Sequence, residues 1–462
     1  MNFTERFSRV STEPWLLLMP LSVFVTLAFI GFTEEALSPV VFSVLLFFVG
    51  YYCIKIDIRE FQLYVVAFCL SIGYTIFLYY YYYQTLGAPY FNVPLSDDSS
   101  YERDALEYAD QLGVFEYGKI APTIVKHDHN SKGYVYFVAL IAKLSNFMGG
   151  YHTLLPRIAN ALFHAFSGIF LYRLLKLYVS DLRLVFRLSL AFVLFPYILY
   201  LSGHIFRDTF VCFAFVFCLY KTLKPNKQIL DWVLVAVVVL MLSQMRVFSS
   251  AILVGTIAVN VWSQTQNRWV RSGILGASGV AIIFAFLFLD SLSTRANLSL
   301  FDMLIALQEF YTNLRTGKDY SEGLAVTILQ MDLLPAGIFV RTIYLAINPL
   351  PFLDLRLPIF INGLGTLLQV LLFVYAFMFT VKNFFKRKYV PLFFALWFIL
   401  ISVALTSFQL RHMVMYYPAL FLLAALGYQE FKPKVALRKN IFFWAVFIAL
   451  IGVWLYMHNK LI

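Results

Sequence analysis

Phe61–Gln84 reads FQLYVVAFCLSIGYTIFLYYYYYQ; Glu60 is the last charged residue before it and Asp97 the first one after. A bilayer core about 30 Å thick needs roughly 20 apolar residues in a helix, so the stretch reads as a transmembrane span. The tyrosines Tyr79 to Tyr83 close it, and amphipathic rings favour the headgroup level. An aromatic belt accounts for them better than a sugar-stacking surface.

Outward from this span, similar runs cover approximately residues 15–33, 36–54, 155–177, 187–203, 207–222, 229–246, 247–263, 272–290, 359–381, 389–406, 412–429 and 440–457. They predict an all-α polytopic membrane protein, a single membrane domain over 1–462 with about thirteen transmembrane helices. Of the 462 residues, 61% are apolar and 13% charged, with a mean hydropathy of +0.77. A soluble globular chain is about 45–50% apolar and about 25% charged. A soluble enzyme is excluded.

The 36 Lys and Arg against 25 Asp and Glu give a formal charge of +11. The cations concentrate in the segments 1–14, 55–60, 173–187, 221–228, 264–271, 382–388 and 432–439, so they report topology and not a nucleic-acid partner. Short loops rich in Lys and Arg stay in the cytoplasm. Counting 133–149 or 334–352 as a span would put the 173–187 or 382–388 cluster outside. Both therefore read as helices lying on or dipping into the outer face, with Lys143 and Arg341 better placed at the interface than at mid-bilayer. Arg6 and Arg9 precede the apolar stretch from Trp15 to Phe32, and Glu34-Glu35 follows in place of a small-residue cleavage site, which predicts a retained first span. Cys53, Cys69, Cys212 and Cys218 form no C-x-x-C pair and suggest neither a disulfide framework nor a zinc site. The expected location is the cytoplasmic (inner) membrane, multi-pass, with two long loops on the extracytoplasmic side: 85–154, a catalytic loop, and 291–358, which contains the second interfacial helix.

The first loop is the most acidic stretch of a basic protein. From Gly87 to Lys132 it holds Asp97, Asp98, Glu102, Asp104, Glu107, Asp110, Glu116 and Asp128 against Arg103, Lys119, Lys126 and Lys132. Asp97 and Asp98 stand directly behind the tyrosine-rich span, where a carboxylate can meet a lipid headgroup. Adjacent carboxylates raise each other's pKa, which suits a general base for an acceptor hydroxyl or a pair of metal ligands. The spacing Tyr101, Ala105, Tyr108, Ala109, Leu112 is helical, with Ser99 or Ser100 as an N-cap. On that ground alone the acids simply begin a helix favourably with its dipole.

Asp97-Asp98-x-x-Tyr101-x-x-x-Ala105 in the first large outer loop resembles the acidic motif of the GT-C superfamily of glycosyltransferases, in the branch of protein mannosyltransferases and aminoarabinose transferases. Ser131-Lys132-Gly133-Tyr134-Val135-Tyr136-Phe137 and Pro156-Arg157-Ile158-Ala159-Asn160-Ala161 continue the resemblance over roughly residues 95–220. The family usually places this loop after the first span, whereas two further spans precede it here. The resemblance implies a polytopic enzyme that takes a sugar from a polyprenyl-phosphate donor at the outer leaflet and transfers it with inversion to a glycan, lipid or protein acceptor. It also implies that Asp97 acts as the base, with Asp98 and Tyr101 beside it.

Ser202-Gly203-His204-Ile205-Phe206-Arg207-Asp208 reads as a short outer turn between two spans. Arg207 suits a phosphate through paired N–H donors, and Asp208 a second carboxylate; an Arg–Asp pair that neutralises itself is the alternative. His204, alone a surface histidine, is a substrate-binding candidate in this setting. Arg411 and His412, ahead of Pro418, stand where a cation stabilises a departing phosphate, or where an arginine anchors a span. His127-Asp128-His129 lacks a clear third ligand, so a divalent metal is possible but not indicated. No Gly-x-Gly-x-x-Gly and no Walker lysine occurs.

Three functions compete on this basis. The first is a lipid-linked-sugar glycosyltransferase of cell-surface polysaccharide biosynthesis. The second is a repeat-unit polymerase of the Wzy type, and the third a transporter or flippase of a lipid-linked glycan. A transporter calls for ionisable groups near mid-bilayer, and the mid-span stretches are nearly free of charge.

Overall fold

Inside hydrocarbon every backbone N–H and C=O needs a partner in its own segment, which forces apolar runs into helices. In the computed structural model, which describes residues 13–54, 57–91, 96–111, 131–269, 271–273, 337–347, 357–405, 410–431, 439, 440, 442 and 446, no strand occurs among the described residues. The chain divides into two compact units, 1–251 and 252–462.

The first unit runs through α1 (Trp15–Thr33), α2 (Ser38–Cys53), α3 (Ile58–Leu86), α4 (Asp97–Gln111), α5 (Lys132–Ser145), α6 (Leu154–Lys176), α7 (Leu182–Val193), α8 (Pro196–Ser202), α9 (Asp208–Leu223) and α10 (Ile229–Met245), and ends inside α11 (Val247–Gln264). Ion pairs and hydrogen bonds define the two ends of this bundle. At one end Arg173 grips buried Glu60 through two bonds of 2.9 and 2.6 Å, Lys176 reaches Asp57 at 3.3 Å, and Arg59 donates to the Leu182 carbonyl at 3.2 Å. At the other end Glu34, just past α1, accepts from Tyr79 at 2.9 Å and Tyr80 at 3.2 Å and pairs with His152 at 2.8 Å. The start of α3 and the end of α6 therefore share one end, and the end of α3 and the start of α6 the opposite one.

The second unit continues with α12 (Ile338–Ile347), α13 (Leu357–Asn383), α14 (Val390–Phe393), a π-helical turn (Phe394–Phe398), α15 (Ile399–Leu405), a 3-10 turn (Leu410–Met415) and α16 (Tyr417–Phe431). Helices α13 and α16 lie against each other along their length. Tyr417 donates to Gln369 at 3.0 Å and Asn383 to Glu430 at 2.9 Å. Between these points Gly427 backs onto the Tyr375 carbonyl so closely that a Cβ would sit 2.4 Å from its oxygen.

Among the described residues six helical stretches are long and apolar enough to cross a membrane, or seven if α7 and α8 form one bent span; the sequence predicts about thirteen over the whole chain. The expected spans 36–54, 207–222 and 229–246 are helices of 16, 16 and 17 residues. The expected span 187–203 breaks by 51° because Pro196 has no N–H to continue α7 and holds Phe195 extended, at ψ 116°. The span 412–429 divides into the 3-10 turn and α16. Nearly all of 272–290 and 440–457, and most of the outer loop 291–358, lie outside the described residues. The stretch 133–149 gives the 14-residue α5, too short to span, whereas Arg341 in α12 is 1% exposed and packed inside the second unit instead of lying on a surface.

Gly427→Ala is expected to destabilise the protein by about 1–3 kcal/mol, because the obstructing atom is backbone and cannot rotate away. The check is the thermal denaturation midpoint in detergent; an unchanged midpoint would mean that α13 and α16 do not meet at Tyr375.

Candidate functional site

Ser96 starts α4: its hydroxyl accepts the Ser99 N–H at 3.3 Å, so the cap lies ahead of the expected Ser99 or Ser100. The aspartates thus occupy the first helical turn. From there the helical period sets one face, Asp98, Tyr101, Glu102, Ala105 and Tyr108, inside the protein, while Arg103, Glu107 and Asp110 are exposed. Asp97 is half-buried; Asp98 is 0% exposed. One Asp98 oxygen accepts the Ser99 N–H at 3.0 Å, and Oδ2 has no hydrogen-bond partner. Burial pushes this carboxyl up to about 6, against the pull of the positive Arg157. One turn on, Glu102 accepts the hydroxyls of Tyr90 and Tyr151, both at 2.7 Å. Burial and the Glu102 charge push both phenols up, so they remain donors.

Arg157 enters from the first turn of α6 and is 0% exposed. Its Nη2 donates to the Pro89 carbonyl, while Nε and Nη1 are buried without a partner. One turn on along the same face, Asn160 donates to the carbonyls of His204 at 2.8 Å and Phe206 at 3.0 Å, which fixes the turn 203–207 against α6. Those two carbonyls settle the amide orientation and leave Asn160 Oδ1 buried and unpartnered.

His204 is not the surface histidine its turn suggested: it is 0% exposed, with the rings of Tyr200 at 4.3 Å, Phe206 at 4.9 Å, Tyr82 at 5.7 Å and Phe91 at 5.8 Å. Nδ1 lies 2.8 Å from the Tyr200 carbonyl, which only accepts, so Nδ1 carries the proton. Burial and the Arg157 charge push the imidazole down to about 3. Nε2 is consequently a neutral acceptor, and it too lacks a partner.

Tyr134 joins this cluster to a second one. Its hydroxyl accepts from Asn160 at 3.1 Å and its ring meets Tyr101 at 5.4 Å. Ser131 donates to Tyr101 at 3.2 Å and accepts from Arg207, which also donates to the Met245 carbonyl at 3.0 Å and lies 5.9 Å from the Tyr101 ring. Asp208 pairs with Arg246 at 2.6 Å, and not with its neighbour Arg207 as the self-neutralising alternative would have it.

Of the candidates read from sequence, Asp97, Asp98, Tyr101, His204, Arg207 and Asp208 thus come together at one end of the first unit, the end carrying Glu34 and His152. Arg411, half-buried, and His412, 5% exposed, belong to the 3-10 turn of the second unit. His127, Asp128 and His129 lie outside the described residues, and among the described residues no three His, Cys, Asp or Glu side chains are grouped to hold a metal ion. Sequence reasoning assigned no role to Arg157, Asn160, Glu102, Tyr90 or Tyr151. Arg157 and Asn160 entered the sequence reading only as part of the resemblance, although ionisable and amide side chains three apart near the start of a span-length helix are functional candidates in their own right.

The chemistry of the cluster is set by what it lacks. One cation has two idle donor nitrogens, and Asp98, His204 and Asn160 each have an idle acceptor atom, all within residues that are 0% exposed. A buried polar atom without a partner costs about 1–3 kcal/mol. Donors of this kind match an anionic oxygen, and acceptors of this kind match hydroxyl groups. No protein-family model matches the chain, and no curated protein matches it in sequence.

The folded-state carboxyl of Asp98 titrates higher than an ordinary carboxylate, so the fold loses stability as pH rises from about 4 through about 6 and does not regain it above. Asp98→Asn is expected to remove that loss, stabilising the protein on the order of 3 kcal/mol at pH 8 and hardly at all at pH 4. Denaturation midpoints of both proteins at the two pH values check this; a difference independent of pH contradicts it.

Proposed function

We propose that the protein is a membrane glycosyltransferase that moves a sugar from a polyprenyl-phosphate donor to a glycan, lipid or protein acceptor at the extracytoplasmic face, in cell-surface polysaccharide biosynthesis. The observation that carries this reading is the buried, unpartnered set of Arg157, Asp98, His204 and Asn160. A phosphate-linked sugar and its acceptor have the matching groups: anionic oxygens for Arg157, sugar hydroxyls for His204 and Asn160, and the acceptor hydroxyl for Asp98. The likeness of Asp97-Asp98-x-x-Tyr101-x-x-x-Ala105 to the GT-C acidic motif supports it. So does the position of the cluster at the end of the first unit opposite Arg173 and Lys176, cations that the charge rule keeps inside.

Asp98, with its pKa near the operating pH, takes the proton of the acceptor hydroxyl. The acceptor oxygen then bonds to the anomeric carbon while the bond from that carbon to the phosphate oxygen breaks, and the electron pair leaves on the phosphate. Arg157 stabilises this growing negative charge from a site that excludes water, where such stabilisation is largest. The resemblance gives the base to Asp97; burial, the unpartnered Oδ2 and the field of Arg157 favour Asp98. Arg207, through Ser131, holds Tyr101 and is assigned to positioning, as is Asp208 through Arg246.

A host lacking the gene, rescued with wild type, Asp97→Asn or Asp98→Asn, separates these roles by mass spectrometry of its surface glycans. Asp98→Asn is expected to lower transfer by about 10²–10⁴-fold at a normal level of protein in the membrane, and Asp97→Asn far less. Full transfer by Asp98→Asn would refute its role, and loss of long chains with single repeats retained would point to a polymerase instead.

A further inference from the structure

Trp262 lies in the last turn of α11, and two guanidiniums approach its ring, Arg271 at 5.1 Å and Arg387 at 5.5 Å from the centroid. Arg387 donates through Nη2 to the carbonyls of Trp262 at 3.0 Å and Thr265 at 2.6 Å. These are carbonyls that a helix end leaves open, and the cation sits at the negative end of the helix dipole. That accounts for one nitrogen of Arg387. Nε of Arg387, Nε of Arg271 and Nε1 of Trp262 remain buried and without hydrogen-bond partners.

All three are donors, and none of the three side chains can accept a hydrogen bond. Among the described residues of this unit Glu430 is the sole carboxylate, and it is engaged by Lys382 at 2.5 Å and Asn383 at 2.9 Å. Two arginines around one indole, with idle donors and no carboxylate bonded to them among the described residues, call for an anion that only accepts. Phosphate oxygens meet that requirement, and planar guanidiniums suit them.

The surroundings indicate where the phosphate comes from. Trp269 is 86% exposed, Phe384 59% and Phe385 97%, and Phe385 is followed directly by Lys386, Arg387 and Lys388. Exposed aromatic rings beside cations, at the end of an apolar span, belong at the level of lipid headgroups. Basic pockets between helices at that level take anionic headgroups. We propose that Trp262, Arg271 and Arg387 form a binding site for the phosphate of an anionic phospholipid, separate from the transfer chemistry and independent of it.

Native mass spectrometry of the purified full chain with phosphatidylglycerol, phosphatidylcholine or inorganic phosphate tests the site. Wild type is expected to retain phosphatidylglycerol over phosphatidylcholine, and Arg271→Gln to lower that retention about tenfold, the equivalent of about 1.4 kcal/mol. Arg271→Lys, which keeps the charge and loses the planar fork, is expected to lower it as well. Lys386→Gln removes one charge at the same end and should change it little. Equal retention of the two lipids, an equal loss in Arg271→Gln and Lys386→Gln, or displacement of phosphatidylglycerol by inorganic phosphate would each overturn the proposal.

Discussion

A guanidinium without a counter-ion at the head of an apolar helix is the constraint around which the first unit is organised. Arg157 stands in the first turn of α6, where the dipole already presents positive charge, and it is sealed from solvent. A buried cation is tolerable only when paired, hydrogen-bonded or lying in a negative field. The chain provides the Pro89 carbonyl as a direct acceptor and places Asp98 where its charge is felt, with neither carboxylate oxygen bonded to the arginine. The nearby carboxylate that is fully satisfied, Glu102, is held by two tyrosines. An arrangement that keeps Arg157 charged, dry and only partly bonded is unfavourable for folding and favourable for holding an anion.

The aromatic content of the chain makes this affordable. Tyr82, Phe91, Tyr200 and Phe206 enclose His204, while Tyr101 and Tyr134 form the edge-to-face pair between Arg207 and Asn160. Each ring excludes water over a large area, and each tyrosine also brings a hydroxyl to the polar atoms it covers. The aromatic composition, 19% of the sequence, thus does more here than form an interfacial belt. Tyr79 and Tyr80 illustrate the same point: they lie near the end of the long apolar helix α3 and bond the carboxylate of Glu34.

The features legible in the sequence were those written in periodicity. Apolar length identified α1, α3, α6 and α13 as spans, and the helical spacing behind Asp98 foretold the buried face of α4. The order of cationic loops foretold which helix ends meet. What escaped was set by contacts between distant segments. Asp208 finds Arg246 across the chain in place of its neighbour Arg207, and Glu102 is satisfied by Tyr90 and Tyr151, one before and one after it. His204 looked superficial because a turn between spans is usually wet; the side chain of Asn160, bonded to two carbonyls of that turn, draws it inside. Helices α2, α9 and α10 form where the apolar runs predict them but are 16, 16 and 17 residues long, at or below the short end of what spans a bilayer.

The proposed function assigns the unpartnered atoms of Arg157, Asp98, His204 and Asn160 to one donor and its acceptor. A cryo-EM map of the protein with a polyprenyl-phosphate sugar tests this most directly. Phosphate density is expected within hydrogen-bond distance of Arg157 Nε or Nη1, with sugar hydroxyls against His204 Nε2 and Asn160 Oδ1 and with Asp98 Oδ2 left open toward the anomeric carbon for the acceptor. A map in which the phosphate binds elsewhere, while these four side chains remain packed as they are, would contradict it.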